Sequence, residues 1–380
     1  MPLAHEIAAI VEGAISRQIF PGAVVLIARN DTIQHTMAYG STMYSAPGSQ
    51  PVGLDTIYDI ASLTKVFTST AALRLVDQGR LDLSAPVAGY LPELRAPGVV
   101  VRHLLTHTSG LDIRLSTLRH AGRAGMLDAV YRASLLHLPG TTVAYTNVNS
   151  LLLGEIVARL CGQPLDDALQ ALVIEPLGMA NTQFRPPVEL LPRIAPTEID
   201  ADWRGGLVHG SVHDESAHVL GGVAGHAGLF STAADLYAFC RVWLDDERWT
   251  TDDGRLVDWE LERQAPGVAP DRTGARSHGL LRPETIALAR TNHTSGLNLA
   301  CGLGWMIDRP NFMGQAPPGT IGHTGFTGPA ITIIPAQQLI VIVLSNRIYP
   351  RRQPPEHHTS IAAIVNAALR ANDMICTNSI

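Results

Sequence analysis

The sequence predicts an α/β chain of the α+β type, with a mainly antiparallel sheet built from both chain ends, helices flanking it, and a mostly helical lobe inserted between. Three observations predict this. Apolar, β-branched runs of strand length lie near the N-terminus (residues 23–28 and 32–38) and near the C-terminus (330–334 and 339–344). Helical periodicity dominates the span between them. Further helical segments, 3–20 and 361–370, open and close the chain. The expected lobes are 1–80 plus 281–380 for the sheet and 81–280 for the helical insert, with the site at their interface.

The elements follow in order. Residues 3–20 carry Ile7, Ile10, Val11, Ala14 and Ile15 at helical spacing, with Glu6, Glu12 and Arg17 between them. That is a docking helix, not a cationic leader with an apolar centre. The runs 23–28 and 32–38 form a hairpin across Asn30-Asp31. Glycine- and proline-rich residues 40–55 form a loop leading to Tyr58, Asp59 and Ile60. A helix then buries Val66, Phe67, Ala71, Leu75 and Val76 and stops at Gly79. Residues 101–105 make a short helix closed by Thr108-Ser109-Gly110, and 150–160 a strongly apolar one stopped by Gly162. Residues 165–173 follow, and 196–228 read as too irregular for a regular element, lining a cleft. A helix over 231–244 is capped by Thr232 or Ser231, and the charged stretch 245–278 is a surface insertion. The runs 330–334 and 339–344 pair across residues 335–338.

Composition excludes several classes. A net charge of −6 leaves no basic footprint for nucleic acid. No apolar run approaches a membrane span. Cysteines 161, 240, 301 and 376 are scattered without a C-x-x-C pair and read as reduced core residues. If Met1 begins the natural chain, the missing secretion signal places the protein in the cytoplasm; if a leader was removed, the periplasm or exterior follows. The pairs His357-His358 and Arg351-Arg352, in a proline-rich stretch, read as solvated.

One lysine stands among the 28 Lys and Arg residues, Lys65, three residues after Ser62. Arginine keeps its proton at neutral pH, whereas a desolvated lysine can release it. On a helix this spacing places both side chains on one face, where an amine can activate the hydroxyl. Two further signals follow in order, Tyr145-Thr146-Asn147 and His323-Thr324-Gly325.

With S-x-x-K opening a helix, Y-x-N on a loop and H-T-G on a strand, the chain resembles the serine β-lactamase and penicillin-binding-protein superfamily, in its class C-like branch. The phrases at 103–111 and 176–179 extend the likeness over residues 15 to 346. The resemblance implies a β-lactamase/transpeptidase-like fold and an acyl-enzyme on Ser62, with Lys65 and Tyr145 carrying protons and no cofactor. Asn147 would hold a substrate carbonyl and the Lys65 ammonium together. The oxyanion donors it implies are the Ser62 N–H and the N–H of Phe326, after Gly325. His323 stands where lactamases carry a lysine suited to a substrate carboxylate; it is only partly charged near neutral pH, and the same departure in family esterases and amidases argues against an efficient lactamase. The substrates the resemblance implies are esters or amides, including D-amino-acid or peptidoglycan-derived ones. A penicillin-recognising sensor that acylates without turnover shares these motifs.

Residues 209–228 hold His209, His213, Asp214, Glu215, His218 and His226. Glycines at 205, 206 and 210 argue against a helix that would align metal ligands, so no metal is expected, and a chelator-sensitive amidase is the rival reading. The phrases 212–215 and 221–228 resemble a loop of cell-wall-related superfamily members, which makes Asp214 and His226 cleft candidates. The other reading is a glycine-rich connector with solvated histidines.

Overall fold

Asn30 and Asp31 both adopt left-handed φ values, 48° and 59°, as a two-residue hairpin turn requires. They join β1 (Gly22–Arg29) to β2 (Thr32–Gly40). The computed structural model describes residues 2–244, 279–352 and 357–377, with side chains to 371. The predicted surface insertion 245–278 and the Cys376 side chain lie outside the described residues.

Near the N-terminus lie α1 (Leu3–Ser16), β3 (Tyr58–Asp59) and α2 (Thr64–Asp77). The middle of the chain supplies α3 (Val87–Tyr90), α4 (Val101–Leu105), α5 (Gly122–Tyr131), α6 (Asn147–Cys161) and α7 (Leu165–Leu169). After β4 (Gln183–Phe184) come β5 (Ile199–Asp200), β6 (Gly206–Leu207), α8 (Glu215–Val219), β7 (Leu229–Ser231) and α9 (Ala233–Arg241). The chain closes with α10 (Pro283–Arg290), β8 (Met306–Ile307), α11 (Pro310–Met313), β9 (Ile321–Thr324), β10 (Ala330–Ile334), β11 (Leu339–Ser345) and α12 (His357–Thr377).

Both chain ends build one antiparallel sheet, in the order β2-β1-β11-β10-β9-β8. β1 pairs directly with β11, Val25 opposite Val343 and Leu26 opposite Ile342. Alternate side chains on a strand face opposite ways, so these two strands serve two cores. Val24, Leu26, Ile340 and Ile342 join the large core with α2 and α6. Val25, Ile27, Val341 and Val343 instead meet residues of α1 and α12. Strands covered on both faces read as unbroken apolar runs, which is why the sequence declares them so plainly. Helix α9, inside the span 81–280, lies against β1 and β11. Among the described residues no helix is long and apolar enough to cross a membrane.

Two expectations need correction. The stretch 196–228 contains the β5–β6 hairpin and α8, which Asp214 caps by accepting the Ala217 N–H at 2.9 Å. His357 is buried, not solvated; burial, ahead of the Arg347 charge, pushes its imidazole down to about 2. Arg351 and Arg352 are exposed, as expected, and Arg352 also pairs with Glu198 and Glu215. Cys161, Cys240 and Cys301 are free thiols.

Two glycines let a loop meet α6 backbone to backbone. A Cβ on Gly225 would sit 2.0 Å from the Ser150 carbonyl oxygen, and one on Gly154 would sit 3.0 Å from the Gly225 Cα. Overpacking of this kind costs about 1–3 kcal/mol. Gly225→Ala is expected to lose stability on that scale in denaturant titration; a change within about 0.5 kcal/mol, the usual range for surface substitutions, would contradict the close approach.

Candidate active site

The turn before Ser62 is held from several sides. Asp59 is buried, its Oδ1 accepting the Ala61 N–H at 2.8 Å and its Oδ2 the His213 N–H at 2.7 Å. Burial raises this carboxyl, and the two N–H groups oppose that rise. Ile60 N–H donates to the Leu229 carbonyl at 3.0 Å, and Thr327 Oγ1 donates to the Asp59 carbonyl at 2.7 Å. A Cβ on Gly325 would stand 2.6 Å from the Ile60 carbonyl oxygen, so the end of β9 reaches this turn only as glycine. Within the clamp Ala61 takes a φ of 45°, a conformation costing a non-glycine residue roughly 1–2 kcal/mol. Ser62 follows in a 3₁₀ turn that runs into α2.

Lys65 is 1% exposed. Its Nζ donates to Ser62 Oγ at 2.8 Å and to the His226 carbonyl at 3.2 Å. Among the described residues it forms no ion pair with a carboxylate. One turn along the same face of α2, Thr68 Oγ1 donates to the Gly225 carbonyl at 2.9 Å, and Thr64 Oγ1 accepts the Leu229 N–H at 3.2 Å. The glycine-rich phrase therefore lays main-chain residues 225–229 along the start of α2, and His226 gives the amine its second acceptor.

Tyr145 is 41% exposed, and its ring centroid lies 5.1 Å from Lys65 Nζ. The ring also meets His107 at 4.8 Å and His323 at 5.8 Å. The Tyr145 hydroxyl makes no hydrogen bond among the described residues, so the amine faces the aromatic ring. His323 is buried, and burial, with the Lys65 charge second, lowers its pKa to about 3. The expected partial charge at neutral pH is thereby removed. A carbonyl only accepts, so the 2.9 Å contact with the Thr324 oxygen places the proton on Nδ1 and the lone pair on Nε2. His107, which the sequence reading passed over within the phrase 103–111, is lowered to about 3 by the same causes in the same order. His107, Tyr145 and His323 line a small cavity with Trp305, Met306 and Arg309.

Neither the Ser62 N–H nor the Phe326 N–H has a protein acceptor among the described residues, as two oxyanion donors require. The Phe326 ring is 46% exposed and stacks on His213 at 5.7 Å, with Arg347 5.1 Å from its centroid.

Asn147 opens α6 rather than sitting on a loop, and its Nδ2 donates to Asp214 Oδ2 at 3.3 Å, not to a Lys65 contact. His226 is fully buried, its Nε2 3.2 Å from Asp214 Oδ1 and 2.9 Å from Ser216 Oγ. This has the composition of a Ser-His-Asp triad without its geometry, because both partners share one ring nitrogen and Nδ1 has no hydrogen-bond partner among the described residues. His209 meets the Leu191 and Ile194 carbonyls, and His213 meets Glu198. Among the described residues no group of three or more His, Cys, Asp or Glu side chains is placed to hold a metal ion.

A beta-lactamase family model matches residues 7–366. A protein of Escherichia coli K12 bearing the name D-alanyl-D-alanine carboxypeptidase is 29% identical over 391 residues, covering 91% of this chain and 84% of its own. Among solved structures, EstCE1, described as a hydrolase with promiscuous acyltransferase activity, is similar with a TM-score of 0.72 at 22% identity, over 96% of this chain and 98% of its own. Simvastatin synthase from Aspergillus terreus is similar with a TM-score of 0.70 at 20% identity, over 96% and 97%. At these identities the two structures establish the fold.

The two buried imidazoles set a pH dependence. Each protonates near 6.5 in the unfolded chain and near 3 in the fold, so between those values the unfolded state binds more protons. Their contribution to stability is complete above about 6.5 and is lost as pH falls towards 3. Urea titrations of wild type and His323→Gln from pH 7 to 4 are expected to show a shallower decline in the variant; equal slopes would contradict a neutral His323.

Proposed function

The chain belongs to the beta-lactamase family and is a serine hydrolase, and within that family we propose that Ser62, Lys65 and Tyr145 carry the reaction. The observation supporting this most directly is the 2.8 Å contact between Ser62 Oγ and the buried amine of the chain's one lysine. In this reading Ser62 Oγ attacks an acyl carbonyl as its proton passes to Lys65 Nζ. The Ser62 and Phe326 N–H groups receive the tetrahedral oxyanion. Collapse breaks the bond to the leaving alcohol or amine, which takes a proton from Lys65 or from the exposed Tyr145 hydroxyl. Water then attacks the acyl-enzyme as its proton passes to the same groups, and that proton returns to Ser62 Oγ as its bond to the acyl carbon breaks, releasing the acid product.

The proposed substrates are small esters or amides, with D-amino-acid or peptidoglycan-derived compounds the favoured class. The carboxypeptidase name of the Escherichia coli relative supports that class. His323, neutral through burial, supplies no fixed positive charge where a lactamase would hold a carboxylate, which argues against efficient β-lactam hydrolysis. Asn147, Thr324 and Gly325 would border the acyl group.

A panel of p-nitrophenyl esters, nitrocefin, D-aminoacyl anilides and muramyl peptides tests the reading. Ser62→Ala is expected to lose activity on every compound that wild type cleaves, and a fluorophosphonate should label Ser62 alone. Ester hydrolysis surviving in Ser62→Ala would overturn the assignment. A β-lactam adduct that persists for hours in mass spectra would instead favour a sensor. Arginine does not give up its proton near neutral pH and so cannot receive the serine's, and Lys65→Arg is expected to lose about 10²–10⁴-fold in kcat; a loss under tenfold would remove Lys65 from the proton path.

A further inference from the structure

We infer that Asp214 is a positioning residue that seats Lys65 through His226 and sets the orientation of the Asn147 amide, leaving Asn147 Oδ1 to accept a substrate N–H beside the scissile carbonyl. The inference rests on the Ser62–Lys65 reading and adds a specificity to it.

Four donors converge on this one carboxylate. Oδ1 receives Ser216 Oγ at 2.5 Å, the Ala217 N–H at 2.9 Å and His226 Nε2 at 3.2 Å, and Oδ2 receives Asn147 Nδ2 at 3.3 Å. Capping of α8 explains the Ala217 contact but neither the histidine nor the asparagine. Burial opposes ionisation of Asp214, yet the His226 charge, then the hydrogen bonds of His226, Ser216 and Ala217, hold the carboxyl well below the usual carboxylate range. An ionised carboxylate only accepts, so Asn147 must turn its nitrogen towards it; the flipped amide would set oxygen against oxygen. Asn147 Oδ1 then points elsewhere, and it makes no hydrogen bond among the described residues. The residue is half-buried, two positions from Tyr145.

The other arm runs through His226. Its ring is fully buried, and among the described residues its hydrogen bonds run through Nε2 while Nδ1 has none. The main-chain carbonyl of the same residue receives Lys65 Nζ. Removing the charge at 214 weakens the hold on this ring and leaves the carbonyl to the Thr68 and Thr64 contacts of residues 225 and 229. Displacements near 1 Å at a reacting group cost about 10²-fold in rate.

Two p-nitrophenyl esters differing in one group test the inference, N-acetyl-D-alanyl and O-acetyl-D-lactyl, the second with oxygen in place of the N–H. Wild type is expected to favour the first in kcat/KM by about tenfold or more, since a site built to accept a hydrogen bond discriminates against an analogue lacking the donor. Asp214→Asn is expected to bring that ratio near one and to lower kcat on both esters by about 10²-fold. Asn147→Ala should also bring the ratio near one, and the double variant should lower it no further. Rates are taken per fluorophosphonate-reactive site, so partial unfolding does not imitate the effect. Should Asp214→Asn fail to fold, the Asn147→Ala ratio decides alone. Equal rates on the two esters in wild type, or a ratio unchanged in folded Asp214→Asn or in Asn147→Ala, would overturn the inference. With Ser62→Ala inactive, those results leave the serine hydrolase reading standing; an active Ser62→Ala would overturn that reading instead.

Discussion

The site depends on one contact, a fully buried lysine amine 2.8 Å from a serine hydroxyl. An amine taken out of water is costly to the fold unless its donors find acceptors. Here the acceptors are the Ser62 oxygen and the main-chain carbonyl of His226, with no carboxylate paired to the amine among the described residues. The hydroxyl and the carbonyl hold the amine in place beside Ser62.

That contact requires three distant segments to arrive together. The sheet joins the chain ends through β1 and β11, so β9 can press Gly325 against the turn before Ser62. The loop 225–229 runs along α2 because Gly225 and Gly154 permit backbone contact. Asp59 ties the turn before Ser62 to His213, one residue from Asp214. A strained Ala61 persists inside this clamp because the surrounding hydrogen bonds determine its conformation.

Much of this was legible in the sequence. The runs at 23–28, 330–334 and 339–344 announced the central strands, because burial on both faces leaves an unbroken apolar signal. Ser62 and Lys65 were legible because a single lysine among many arginines stands out and helical spacing brings the two together. Order and resemblance point to Tyr145 and His323 but not to the depth of the histidine: burial makes His323 neutral, and no local pattern encodes that depth. Asn147 was expected against Lys65 and lies against Asp214, a partner 67 residues away that only the tertiary fold supplies. The glycine-rich phrase 221–228 read as irregular because its role is main-chain, presenting carbonyls to α2. His107 was overlooked because its approach to Tyr145 depends on packing between a helix end and a loop.

The most direct test of the central claim is the rate at which a neutral fluorophosphonate modifies Ser62 in Lys65→Ala, with and without added small primary amines. If the amine at position 65 takes the serine proton, modification should be slowed by orders of magnitude in the variant. It should then recover in proportion to the free-base concentration of methylamine or ethylamine. Modification of Lys65→Ala at the wild-type rate, without amine, would contradict the account.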